Sequence, residues 1–113
     1  MERDCPKCPF SPMQRKAVHG VAVDECPKCG GRWYDANELA RSVQQPDKLK
    51  QAMMKGPIKP KAGSAQCPLC HQPMVNCGLV NEFLRVDLCA KCQGFWLDKN
   101  EIGLIDRLLA ALA

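Results

Sequence analysis

The sequence predicts a small, metal-stabilised α+β protein made of two tandem copies of one unit. Each copy is a short β-hairpin or three-stranded unit followed by a helix. Two observations predict this. First, eight of the nine cysteines form four Cys-x2-Cys pairs: Cys5/Cys8, Cys26/Cys29, Cys67/Cys70 and Cys89/Cys92. The pairs are 17 residues apart in the first half and 18 in the second, a spacing that reads twice over as a four-thiolate zinc site. Zinc takes four soft ligands in a tetrahedron, and two intervening residues let a tight turn aim both sulfurs at one ion. Second, the chain repeats itself. CPKCGGRWYDANEL (Cys26–Leu39) aligns with CAKCQGFWLDKNEI (Cys89–Ile102) at a constant offset of 63. CPKCPFSPM (Cys5–Met13) aligns with CPLCHQPM (Cys67–Met74) after a one-residue gap, and VAVDEC (Val21–Cys26) with LRVDLC (Leu84–Cys89). A repeat that carries both ligands and flanking residues means two copies of one module.

The division follows: residues 1–45 are the first unit, 46–65 a Lys/Pro/Gly linker with a short helix, and 66–113 the second unit with an amphipathic C-terminal helix. A unit of about 40 residues sits at the size where disulfides, metal or association are usually needed. Val18, Val21, Val23, Trp33, Tyr34, Leu39 and Val43 make too small a core alone. Structural zinc supplies roughly 10–16 kcal/mol of apparent binding free energy, which is also folding free energy. The rival is the disulfide framework of a secreted miniprotein. Against it, the N-terminal MERDCPKC is polar and already inside the first cysteine pair, so a cytoplasmic protein with reduced thiols is expected. No apolar run of ~18 residues suggests a membrane span.

Through the first unit, Gln14–Val18 and Val21–Asp24 read as strands joined by a turn at His19–Gly20. Cys26–Cys29 forms a second turn, with Gly30–Gly31 letting backbone N–H groups approach the sulfurs. Asp35 reads as a helix N-cap with Glu38 three residues on, starting a helix near Ala36; Asp98 and Glu101 repeat the arrangement. In the linker, Pro46 to Gly56 reads as one short helix, and residues 57–65 (PIKPKAGSA) as extended and mobile. The last helix carries Ile102, Ile105, Leu108, Leu109 and Leu112 at helical spacing. This stripe packs on its own ribbon and the other unit; a homodimer seam is the sharper alternative.

The formal charge of +4 is concentrated. Lys48, Lys50, Lys55, Lys59 and Lys61 face only Asp47 within residues 46–65. Eight thiolates and two zinc dications together remove four charges, leaving the loaded protein near neutral. Any basic footprint is therefore local to the linker. Asp35, Glu38, Asp98 and Glu101 suit capping better than acid/base work. Four thiolates close the metal shell against water or substrate, so catalytic residues, an enzymatic role and a small-molecule substrate are not expected. Trp33 and Trp96 read as miniature core rather than base-stacking platforms. Arg32 and Tyr34, replaced by Phe95 and Leu97 in the second copy, read as a surface that differs between units. Cys77 has no counterpart and reads as a small buried apolar residue, with redox chemistry as the alternative. His71 follows Cys70 but is surplus to four thiolates, and His19 reads as solvated. The Cys-Pro-x-Cys turns lack the βαβ scaffold of a thioredoxin-like site.

With these motifs assembled, each half resembles the transcription factor IIB-type zinc-finger family of small zinc ribbons. The resemblance covers most of residues 5–43 and 67–105. It implies that Cys5, Cys8, Cys26 and Cys29 bind one zinc ion and Cys67, Cys70, Cys89 and Cys92 another. Ala90 in place of proline and Gln93 in place of the first glycine depart from its motif without touching a ligand. Three functions follow as expectations: an adaptor contacting nucleic acid or the transcription machinery; a protein–protein scaffold, dimeric through the C-terminal helix; and a thiol redox or zinc sensor.

Overall fold

Alternation of Val21 and Val23 with Ala22 and Asp24 builds a strand with one apolar face. In the computed structural model, which describes residues 3–8, 10–18, 20–35 and 37–112, β1 (Gln14–Val18) and β2 (Val21–Glu25) pair antiparallel, from Gln14↔Glu25 to Val18↔Val21. His19, expected at the hairpin tip, and Ala36, expected to open a helix, lie outside the described residues. β3 (Arg32–Tyr34) completes the first ribbon against β2.

The helix that follows, α1 (Glu38–Arg41), starts later than the capping pattern predicts. Asn37 is left-handed at φ +73 and caps no N–H through its side chain. Half of the capping box survives, since the Asp35 N–H donates to Glu38 Oε1 at 2.9 Å. The other half is missing because the Asp35 carboxylate accepts the indole N–H of Trp33 at 2.8 Å. Chain direction then changes within a few residues: Ser42 bonds back to the Glu38 carbonyl, and Pro46 cannot extend a helix begun before it. Pro46 instead opens α2 (Pro46–Met54), whose Leu49 is fully buried.

Residues 57–65 are extended as expected, but they are not a free tether. They contribute to β4 (Ile58–Gln66), an edge strand on β5 (Pro73–Leu79) with register shifts between Ile58 and Lys61 and between Ala62 and Gln66. Lysines, Pro60 and bulges are features that protect an edge from pairing with a further chain. β5 pairs with β6 (Asn81–Leu88), β6 with β7 (Phe95–Leu97), and α3 (Glu101–Ala111) closes the second unit.

The two units join edge to edge. β3 and β7 pair antiparallel with Arg32↔Leu97, Trp33↔Trp96 and Tyr34↔Phe95, making one seven-stranded sheet in the order β1-β2-β3-β7-β6-β5-β4. Equivalent tryptophans lie directly opposite, so a local two-fold relates the repeats. Glycine permits the close fit: a Cβ on Gly31 would lie 2.2 Å from the Trp96 ring, and one on Gly94 would lie 2.2 Å from the Trp33 ring. Each indole thus lies across the other unit's glycine.

Because side chains alternate across a strand, the sheet carries a different core on each face. One face gathers Trp33, Trp96, Met13, Met74 and Ala65 with buried Cys5, Cys26, Cys67 and Cys89. The other packs Val21, Val23, Tyr34, Val86, Phe95 and Leu97 beneath Leu39, Leu49, Ile105 and Leu109 of the helices. This corrects the reading of Arg32, Tyr34, Phe95 and Leu97 as divergent surface. They form the central seam, and Tyr34, Phe95 and Leu97 are buried. Cys77 is buried in the helix-side core, where burial pushes its thiol up.

Candidate metal centres

Three of the four cysteine pairs sit in turns closed by the same two backbone bonds, and among the described residues the first pair keeps one of them. In the second pair of the first unit, Cys26 N–H donates to the Gly31 carbonyl and Gly30 N–H to the Cys26 carbonyl, both at 2.9 Å. Cys89 with Gly94 and Gln93, and Cys67 with Gln72 and His71, repeat this pattern. At the first pair the closing bond runs from Cys5 to Ser11, one residue further, which is the gap seen in the repeat. A left-handed residue ends each turn: Phe10, Gly30, His71 and Gln93, with φ between 55 and 78. Only one of the four is glycine, so sequence alone shows this feature at one turn.

The turns bring the sulfurs together in two groups. Ligand atoms of Cys5, Cys8, Cys26 and Cys29 all lie within 4.8 Å of one another, as do those of Cys67, Cys70, Cys89 and Cys92. Sulfur separations include 3.8 Å for Cys5–Cys29, 3.5 Å for Cys70–Cys89 and 3.9 Å for Cys67–Cys92. A tetrahedron with sulfurs about 2.3 Å from zinc has edges of about 3.8 Å, so donor type and spacing both fit this ion. All nine cysteines are free, and eight of them group by fours around a common centre rather than in bonded pairs.

Backbone N–H groups support the sulfurs. Lys7 N–H donates to Cys5 Sγ at 3.3 Å, Leu69 N–H to Cys67 Sγ at 3.4 Å and Cys92 N–H to Cys89 Sγ at 3.3 Å. The thiols titrate unevenly. Burial raises Cys26, but the Ser11 hydroxyl and the N–H groups of Cys29 and Lys28 bring it down to about 6. Burial drives Cys5 well up. In the second group, the Gln72 N–H brings Cys70 down to about 7, whereas burial and neighbouring thiols push Cys92 up to about 12. A bare group therefore resists full ionisation, and a dication is what makes four adjacent thiolates tolerable.

Residues behind the sulfurs brace the centres. Trp96 donates to Asp98 Oδ1 at 3.1 Å, repeating the Trp33–Asp35 bond, and Asp98 N–H donates to Glu101 Oε1 at 2.6 Å. Arg3 bridges Asp24 at 2.7 Å and Asp35 at 3.1 Å, while Lys7 crosses between units to the buried Asp87 at 3.0 Å. The sequence reading assigned no role to Arg3, Lys7, Asp24 or Asp87. The repeated Val-Asp of VDEC and VDLC was the available signal, because an aspartate inside an apolar strand needs a partner. His71 is exposed and lies outside both sulfur groups.

Among the described residues, no helix is long and apolar enough to cross a membrane. Searches against curated proteins and against solved structures find no match. A family model described as "Transcription factor zinc-finger" matches residues 4–45 and again residues 66–109, and with two tandem copies spanning most of its length the chain belongs to this family.

Proposed function

We propose that this protein is a non-enzymatic adaptor, structured by two zinc ions, that contacts nucleic acid through phosphate. In this reading Cys5, Cys8, Cys26 and Cys29 hold one ion, and Cys67, Cys70, Cys89 and Cys92 the other. Four thiolates leave each ion no open position, which supports a structural rather than catalytic role. One observation carries the nucleic-acid reading. Lys50, Lys55 and Lys61 are exposed and, among the described residues, unpaired, on a segment fixed in place by α2 and β4. Lys48 and Lys59 are engaged internally, with the Leu109 and Leu112 carbonyls and with Glu82 respectively. Three fixed cations suit backbone contact without base recognition. In a binding assay with a single-stranded oligonucleotide, affinity is expected to fall steeply with salt. Replacing Lys50, Lys55 and Lys61 by glutamine is expected to lower it at least tenfold. No binding at low salt, or binding indifferent to the triple substitution, would overturn the reading.

The protein–protein scaffold is favoured by a separate observation. Phe83 and Leu104 are exposed beside Leu84 and Leu108, forming an apolar patch between the start of β6 and α3. Leu109, also on the helical stripe, is fully buried and belongs to the core. The dimer form of this reading predicts that Leu104→Glu lowers the solution mass with zinc content unchanged. An unchanged mass would remove the dimer.

A further inference from the structure

The repeat provides an internal control for the helix-facing side of the sheet. In the second copy, Cys77, Leu88 and Phe95 line a largely apolar groove beside Met53 of α2. The equivalent positions in the first copy are Lys16, Glu25 and Arg32. They line an open cavity of about 360 Å³, together with Tyr34 and with Lys99 from the second unit. A charged cluster thus replaces an apolar one at the same place in the fold, and both units contribute to it.

The cluster is unbalanced. Lys16 and Arg32 share one carboxylate, Glu25, each at 2.9 Å. Among the described residues, only Nε of the Arg32 guanidinium reaches a carboxylate, and its charge also acts on the Tyr34 hydroxyl beside it. Lys99 lays its stem against Gly30, which has no Cβ to obstruct it, and among the described residues makes no ion pair. Asp98 lies on the rim, but its carboxylate accepts the Trp96 indole N–H. Beneath these groups Tyr34 is completely buried, and its hydroxyl has no hydrogen-bond partner among the described residues. Native proteins rarely leave such a donor unsatisfied. Three cations, Lys16, Arg32 and Lys99, thus face two carboxylates, Glu25 and, on the rim, Asp98, which leaves one positive charge without a partner among the described residues.

We propose that this cavity binds one small oxyanion group, a carboxylate or a phosphate, held by Arg32 and Lys99, with the buried Tyr34 hydroxyl positioning Arg32 from beneath. Arg supplies a planar fork and Lys a point charge, the usual pairing for such groups. The proposal is independent of nucleic-acid contact, because Lys50, Lys55 and Lys61 line no part of this cavity.

The test is an amide and arginine-side-chain NMR titration of the full, zinc-loaded chain at constant ionic strength. The probes are sodium phosphate, sodium acetate and the tripeptide Gly-Gly-Glu. Saturable shifts are expected at Gly30, Arg32, Tyr34 and Lys99 with at least one probe. Lys99→Met and Tyr34→Phe should each weaken that binding at least threefold, whereas Lys50→Met should not. Tighter binding of the tripeptide than of acetate marks a chain-borne carboxylate as ligand, and equal binding marks a free small molecule; both support the site. Non-saturating shifts, shifts spread equally over Lys50 and Lys61, or saturable binding unmoved by either variant would overturn it. Should Tyr34→Phe disturb the core, the exposed Lys99→Met still decides the matter.

Discussion

A single hydrogen on Gly31 separates a formed interface from a blocked one. Any Cβ there meets the Trp96 ring at 2.2 Å, and neither the sheet nor the metal turn beside it has room to yield. Gly31→Ala is expected to cost about 3 kcal/mol or more. Gly103 gives the opposite sign: it lies within α3, and a Cβ there meets nothing within 4 Å. Gly103→Ala should add about 0.5–1 kcal/mol by restricting the unfolded chain and favouring the helix. Thermal unfolding of both variants with zinc in excess checks the contrast, and equal effects would contradict it. Glu101 supplies a pH dependence. Burial lifts its carboxyl from 4.5 to about 7; the neighbouring Asp98 and Asp87 charges also raise it, while the Asp98 N–H and Lys7 pull the other way. The folded state therefore holds this proton more tightly than the unfolded one. The associated stability is complete below about 4.5 and is lost as pH rises through about 7. Glu101→Gln keeps an acceptor for the Asp98 N–H but removes the titration. Zinc-saturated melts of the variant should lose less stability than the parent across that interval, and identical slopes would contradict the assignment.

At the scale of elements, the determining contact is β3 against β7. Pairing of two short strands would be weak alone, and here two interlocked indoles and the Lys7–Asp87 bridge reinforce it. Lys7→Met leaves Asp87 buried with, among the described residues, only Asn76 as a donor partner. This is expected to cost about 1–2 kcal/mol, read as a lower thermal midpoint with zinc content unchanged; an unaltered midpoint would show that the bridge contributes nothing. Elements with local determinants were legible in the sequence. The hairpin strands follow from alternation, and α2 from Pro46 with a buried Leu49. Both sulfur groups follow from spacing that needs only a turn. What was not legible depends on partners far along the chain. Nothing in Arg-Trp-Tyr or Phe-Trp-Leu announces that these strands pair with each other, so Arg32 and Tyr34 read as surface. PIKPKAGSA read as a tether because proline, glycine and lysine suit an edge strand as well as a loop. The late start of α1 was hidden for a different reason, since Asp35 has two possible employments and the Trp33 indole takes it.

Considered as a whole molecule, 113 residues support one sheet with two unlike faces. The helix side is an ordinary apolar core drawn from both repeats, which neither repeat holds alone. The opposite side is built from cysteines, methionines and two tryptophans, where the ions do what a larger apolar core would do elsewhere. Duplication explains the economy: one turn, used four times, places eight sulfurs, and one tryptophan, used twice, locks the copies together. Divergence between copies then lies at positions that supply no sulfur, in Lys16, Glu25 and Arg32 of the first unit's charged cavity and in the long helix of the second. The most direct test of this account is native mass spectrometry of the reduced chain, with near-ultraviolet circular dichroism followed during chelation. The expected result is two zinc ions per chain and loss of the tryptophan signal as they are withdrawn, because Trp33 and Trp96 sit against the metal turns. A metal-free chain, or a tryptophan signal that survives complete chelation, would contradict it.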